Sequence, residues 1–386
     1  VSEYIGVAVS TLPDTAEAAR EVIDTLSPMS PAVVFIFHGT AHSGGLVAET
    51  FSTELPGVVV VGCTTMGEIA PHGFVESSIT AFAMGQPCRA AAERIPDLES
   101  FRFAEGGEVL SRLAGTLGLE LDQLDPDRHV VVTLTDGLSS NEEQLLGSLG
   151  DAVPDLPLVG GSAGDDFEMT ATHCFVGENA GSGGAVVLIL EPGVAFQPFA
   201  IHQYEPGGED LVVTGADPEH RILTELNGWP AVKEFSRISG FPEEDFRSDP
   251  NLAAAVPTQL GFRIGDVMFI RGIMAVKPEG LVLAAAVEEG MVLHTAKSSD
   301  IVETTVAGVA DAISTLGVPA AGLLLFNCGG RLVQARRNGR LEEHFDSMAP
   351  VLAAGFHTYG EHYSAVLVTY TMTGVAFGTP AAAHSD

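Results

Sequence analysis

The sequence predicts an α/β protein of two domains, assembled from repeated β-α-β-α-β-β units with mixed sheets. Three observations carry this. Nearly continuous apolar runs, Ala32–Phe37, His129–Thr135 and Gly322–Phe326, have strand length and no polar face, as strands covered on both sides do. Segments of helical period flank each run. The order and spacing then recur three times. From His38 to Gly62 is 24 residues, from Asp136 to Gly160 is again 24, and from Cys328 to Gly355 is 27. An acid stands six residues after each second glycine: Glu68, Asp166 and Glu361. Such self-similarity is the signature of repeated supersecondary units.

In the first copy Tyr4–Ser10 reads as a strand, and Pro13–Leu26 as a helix with Ala16, Ala19, Val22, Ile23 and Leu26 on one face. Ala32–Phe37 is a buried strand, Ser43–Leu55 a helix, Gly57–Val61 a strand and Phe74–Met84 another. The second copy runs through a helix at Leu110–Leu119, the strand His129–Thr135, a helix at Asn141–Val153 and the strand Leu156–Val159. Between the second and third copies the pattern changes. Val186–Leu190, Phe199–Tyr204 and Leu211–Thr214 predict antiparallel strands with Pro-Gly turns. Trp229–Ser239 predicts a helix, Phe241–Pro257 a linker-like loop, and Val267–Val276 with Leu281–Val287 a hairpin turned at Lys277-Pro278-Glu279-Gly280. The third copy follows as the helix Asp300–Leu316, the strand Gly322–Phe326, the helix Leu341–Leu352 and the closing strand Ala365–Thr373. The predicted domains are 1–215, holding two repeat units, and 216–386, holding the third.

Charge restricts the partners. The 386 residues carry 51 acids against 18 bases, a net −33, and only Lys233, Lys277 and Lys297 are lysine. Such a field repels phosphate backbones and anionic lipid, so neither nucleic acid nor a membrane surface is an expected partner. No apolar run reaches the ~18 residues of a membrane span, and the start shows no basic segment followed by an apolar one. Cys63, Cys88, Cys174 and Cys328 form no CxxC and no dense framework, which suits a reducing cytoplasm. The glycine-rich loops match neither the P-loop nor the dinucleotide fingerprint, and the twelve histidines show no recognised metal-ligand spacing.

The passages Val59–Glu68, Val130–Gly137 with Leu158–Asp165, Asn227–Phe235, and above all Leu324–Arg331 with Gly355–Glu361 resemble the FIST family over roughly residues 30–370. The resemblance implies a cytoplasmic sensory protein with N-terminal and C-terminal FIST domains, binding a small ligand proposed to include amino acids. It further implies a signalling partner such as a histidine kinase or a cyclic-di-GMP enzyme, and some relatives resemble haem-binding nitric oxide sensors.

In open parallel sheets, ligands settle beyond the carboxyl ends of the strands. Here those ends carry His38-Gly39, Asp136-Gly137 and Asn327-Cys328-Gly329-Gly330-Arg331. A zwitterionic ligand needs a cation and an acid. Arg331 and Arg271 are expected to meet its carboxylate, Glu361 its ammonium, and Asn327, Tyr359, His357 and Cys328 to line the same pocket. No cofactor, metal or catalysis is expected. The alternatives are a haem sensor, with His38, His202, His294 and His357 as axial candidates, and a cysteine-dependent enzyme in which Cys328 is flanked by His357 and Glu361.

Overall fold

The computed structural model describes residues 4–264 and 267–380. Residues 1–3, on which the expectation of no leader segment falls, lie outside the described residues. The chain forms mixed α/β sheets, and its repeats are plainly visible. The first comprises β1 (Ile5–Ser10), α1 (Thr15–Leu26), β2 (Val33–His38), α2 (Gly44–Glu54), β3 (Val59–Thr64), β4 (Glu68–Ala70), β5 (Gly73–Val75) and β6 (Ile79–Met84). The second comprises β7 (Arg89–Ile95), α3 (Glu105–Thr116), β8 (Val130–Thr135), α4 (Glu142–Ala152), β9 (Leu158–Ser162), β10 (Cys174–Val176), β11 (Asn179–Gly181) and β12 (Ala185–Glu191).

The third repeat opens with β13 (Phe196–His202) and is then interrupted. The interruption is a β-rich insert: β14 (Tyr204–Asp217), β15 (Ile222–Leu226), β16 (Trp229–Pro230), α5 (Ala231–Ser239), α6 (Glu243–Ser248), β17 (Thr258–Ile264), β18 (Val267–Arg271), β19 (Ile273–Lys277), β20 (Gly280–Leu283) and β21 (Val292–Ser298). The repeat resumes with α7 (Ile301–Thr315), β22 (Ala320–Cys328), α8 (Gly329–Arg337), α9 (Leu341–Met348), β23 (Ala353–Thr358), β24 (Glu361–Tyr363), β25 (Val366–Val368) and β26 (Thr371–Gly378). The domain boundary expected near residue 215 falls inside β14.

Each repeat builds a six-stranded sheet with one shared plan, and each sheet is completed by a hairpin from another repeat. The orders are β1-β6-β2-β3-β10-β11, β7-β12-β8-β9-β24-β25 and β13-β26-β22-β23-β4-β5. In all three the central pair is parallel (β2 with β3, β8 with β9, β22 with β23) and the other pairings are antiparallel. The first repeat lends its hairpin to the third, the third to the second, and the second to the first. The cycle is closed.

Three glycines mark the repeat. Gly62, Gly160 and Gly355 pair in register with Ile36, Thr133 and Leu325, and a Cβ at any of them would run into that partner's carbonyl oxygen. The spacing seen in the sequence therefore records close backbone approach between parallel strands, not contact with a ligand.

Burial explains the apolar runs. In β2, Val33, Phe35 and Phe37 enter a central core shared by all three sheets, while Val34 and Ile36 face the first repeat's helices. Rings from different repeats meet in that core: Phe37 lies 4.8 Å from Phe356 and Phe82 lies 5.8 Å from Phe377, centroid to centroid. Helices cover the outer faces through separate clusters.

Several expectations change in detail. Phe74–Met84 is not one strand but β5 and β6, because the exchanged hairpin ends before Ile79. Phe241–Pro257 is not a linker: α6 buries Phe246 against Phe235, their centroids 5.4 Å apart. Arg89–Ile95 and Gly329–Arg337 were not expected as elements and form β7 and α8. The repeating acid is Glu68 and Glu361 in two copies, but in the second the buried acid is Asp165, one residue before Asp166.

Candidate functional site

The strand exits of all three repeats meet. The loop after β3 is bonded to that after β23 by Met66 N–H to the His357 carbonyl (3.1 Å) and His357 N–H to the Gly67 carbonyl (2.9 Å). Gly164 N–H donates to the Thr64 carbonyl (3.1 Å) and Tyr359 N–H to the Ser162 carbonyl (3.1 Å), which brings in the loop after β9. These interlocked loops and the insert enclose a cavity of about 630 Å³, within the ~300–1,000 Å³ usual for small-molecule sites. The first repeat contributes Met66 and the second Phe167 and Met169. The third supplies Cys328, Gly329, Gly330, Arg337, Tyr359 and Tyr370, and the insert adds Met274, Ala275 and Lys277.

Sequence dictates this wall locally. Gly329 and Gly330 open α8, and Gly329 leaves the space into which the tip of Met66 and the ring of Phe167 project. Gly330 lies against the ring of Tyr370. No side chain caps the N-terminus of α8, so its partial positive charge faces the cavity wall that its first residues form.

Of the seven residues expected in the pocket, Cys328 and Tyr359 line it. Asn327, Arg331, His357 and Glu361 lie together behind its wall, with no exposed surface. Arg331 donates Nε to Asn327 Oδ1 (2.9 Å), Nη1 to Gln203 Oε1 (2.6 Å) and Nη2 to Thr305 Oγ1 (2.6 Å). Each guanidinium nitrogen thus has a protein acceptor. Burial lowers the Arg331 pKa to about 10, against the pull of the Glu361 charge. Glu361 accepts from the Thr358 hydroxyl and from Thr371 N–H (3.2 Å). Burial pushes its carboxyl up to about 8, and these hydrogen bonds only partly oppose the rise. Glu68 repeats the motif, accepting from Thr65 and Ser78, and burial raises it to about 7. The clamp read from the sequence is therefore an internal polar network that joins α8 to α7 and to the approach of the insert.

His357 accepts from Asn327 Nδ2 at Nδ1 (3.1 Å) and packs edge-on to Phe74 and Phe345; burial lowers its pKa to about 3. Burial also raises the Cys328 thiol, the direction opposite to that of activated nucleophiles. Arg271 lies elsewhere. It donates to the Leu367 carbonyl (2.8 Å) and to Glu143 (3.1 Å) and sits 4.7 Å over the Phe262 ring, tying the insert to α4 and β25. Arg221 does the same with Glu142 (2.7 Å). No histidine is among the cavity-lining residues. Among the described residues, no cluster of three or more His, Cys, Asp or Glu is placed to hold a metal, and no helix is long and apolar enough to cross a membrane.

Sequence reasoning missed Met66, Phe167, Met274, Lys277 and Arg337. One signal was available: Lys277 is one of three lysines in a very acidic chain.

Comparison with known proteins gives two family matches. The FIST N domain model matches residues 32–229 and the FIST C domain model residues 231–364. No curated protein matches the sequence. A solved structure of cyanuric acid hydrolase from A. caulinodans aligns over 97% of this chain and 99% of its own, with 11% identity and a TM-score of 0.39, too distant a likeness to bear on activity.

Proposed function

The chain belongs to the FIST family, whose domains are sensory domains of signal-transduction proteins, and from that premise we propose that it senses a small, amino-acid-like ligand held in the cavity at the junction of the repeats. One observation carries this reading: a single cavity is walled by all three repeats and by the insert. Occupancy there touches every part of the fold at once. The insert reaches the cavity through β19 and the following segment, and is docked on the second repeat through the Arg221–Glu142 and Arg271–Glu143 pairs. A ligand that contacts both β19 and α8 biases how the insert sits, which supplies a signal for a separate cytoplasmic partner such as a histidine kinase or a cyclic-di-GMP enzyme.

The test is calorimetric titration with an amino-acid panel, run on wild type and on Ala275→Phe, which fills the cavity from its half-buried wall. Binding to wild type that is lost in the filled variant supports the reading. Binding that survives filling moves the site elsewhere.

A second reading, a haem sensor, has its own support in the cavity. Cys328 and Met66 offer sulfur ligands, and Lys277 and Arg337 offer partners for two propionates. A stoichiometric Soret band after haem loading, abolished by Cys328→Ala or Met66→Leu, favours it over the amino-acid reading.

A further inference from the structure

We propose that this cavity recognises its ligand as an anion, a small carboxylate with an apolar body, and does not read an ammonium group. The inference rests on the cavity being the ligand site. Its formal charges have one sign: Lys277 and Arg337 line it, and no Asp or Glu does. In a chain of net −33 with three lysines, an acid-free wall holding two cations is not what composition alone supplies. Lys277 forms no ion pair among the described residues, and Arg337 pairs with Asp249 at 3.6 Å. The uncapped start of α8 adds positive potential at Gly329 and Gly330.

The acids bonded to lining residues are already engaged, Asp249 with Arg337 (3.6 Å) among them. Asp165 accepts the Tyr359 hydroxyl and the backbone N–H groups of Met169, Thr170 and Ala171 at 2.6–3.0 Å. Glu361 is held by Thr358 and Thr371 behind the wall. An ammonium entering the cavity finds two like charges, one of them paired with Asp249, and no carboxylate on the lining itself. A carboxylate finds two donors and a helix start. The remaining wall, chiefly Met66, Phe167, Met274 and Tyr370, is apolar and adaptable, suited to an aliphatic or aryl body.

Four probes sharing one body separate the possibilities by calorimetry: 3-phenylpropionate, phenylalanine, phenethylamine and 3-phenylpropanol. The expected order places 3-phenylpropionate tightest, above phenylalanine and the neutral alcohol, with phenethylamine weakest. Lys277→Met should weaken 3-phenylpropionate roughly ten- to a hundredfold, the range for a hydrogen bond to a charged group, and leave the alcohol unchanged. Lys277 is exposed, so the variant is expected to fold, and a melting curve checks that it does. If phenethylamine or phenylalanine binds more tightly than 3-phenylpropionate, or if Lys277→Met has no effect, the charge assignment is overturned while the cavity remains a ligand site. If none of the four binds, the cavity reading itself fails and the inference falls with it.

Discussion

Replacing Glu361 with Gln should make the protein more stable than wild type in alkali and leave it nearly unchanged in acid. Glu361 has no exposed surface, and burial holds its carboxyl at about 8 against an ordinary value near 4.5. Below pH ~4.5 the group is neutral in folded and unfolded chains alike, and the fold bears no penalty. Between there and pH 8 only the folded state holds the proton, so stability falls as pH rises; above 8 the loss is complete. One pH unit of displacement is worth about 1.4 kcal/mol, which makes the full loss on the order of 5 kcal/mol. Gln mimics the protonated acid. Its carbonyl accepts from Thr371 N–H, and its amide donates to Thr358 Oγ1 once that hydroxyl turns round. The substitution itself should therefore cost no more than about 1 kcal/mol. Melting temperatures of both proteins from pH 5 to pH 9 decide the matter. The curves should converge near pH 5, part progressively up to pH 8 and stay apart above it, with Glu361→Gln higher by several degrees. The wild type retains a shallower decline from Glu68, which burial raises to about 7, and the variant keeps that part. If Glu361→Gln is less stable at pH 9, the carboxylate is an ionised partner of Arg331 and the reasoning is wrong.

Other outcomes follow from packing and charge. Gly355→Ala should destabilise by about 1–3 kcal/mol or more, since the added Cβ meets the Leu325 carbonyl; Gly62→Ala and Gly160→Ala should behave alike in thermal melts if the three repeats are equivalent. Glu142→Ala leaves the mostly buried Arg221 without its acid, a loss of up to about 3–5 kcal/mol. Limited proteolysis should then cut faster within residues 204–298 than in the repeats. Raising NaCl from low to molar concentration should raise the wild-type melting temperature, because a net charge of −33 repels itself and salt screens it over ~10 Å at 0.1 M. A flat response would mean that the acids are locally compensated.

The parts of the fold visible in the sequence were those set by local pattern. Ala32–Phe37 reads as a doubly covered strand because alternate residues face two apolar clusters, and β2 does so. The glycine spacing reports the repeat because one backbone contact recurs at Gly62, Gly160 and Gly355. The hairpin exchange has no such local signature. Strands as short as Glu68–Ala70 carry little pattern, and their partner Gly355–Phe356 lies almost three hundred residues away. In Phe241–Pro257, proline and acid obscure the residues that anchor the segment, Phe246, Ala253 and Val256.

The site was half legible for a related reason. Rarity drew notice to Arg331, and position at a strand exit to Glu361, but neither says on which side of a wall a side chain lies. The structure places both inside, satisfied by Asn327, Gln203, Thr305, Thr358 and Thr371. Lys277 and Arg337 reach the cavity instead from a hairpin strand and from the end of α8, a convergence that depends on how the insert docks.

The central claim, that the ligand binds where the three repeats and the insert meet, can be read from the methionine methyl groups. Met66, Met169 and Met274 line the cavity, while Met84, Met348 and Met372 are buried in cores. Methyl NMR of ¹³C-methionine-labelled protein, titrated with pooled amino acids and their 2-oxo acid counterparts, should shift the first three resonances and leave the last three in place. Shifts confined to other methionines, or none at saturating concentrations, would contradict the account.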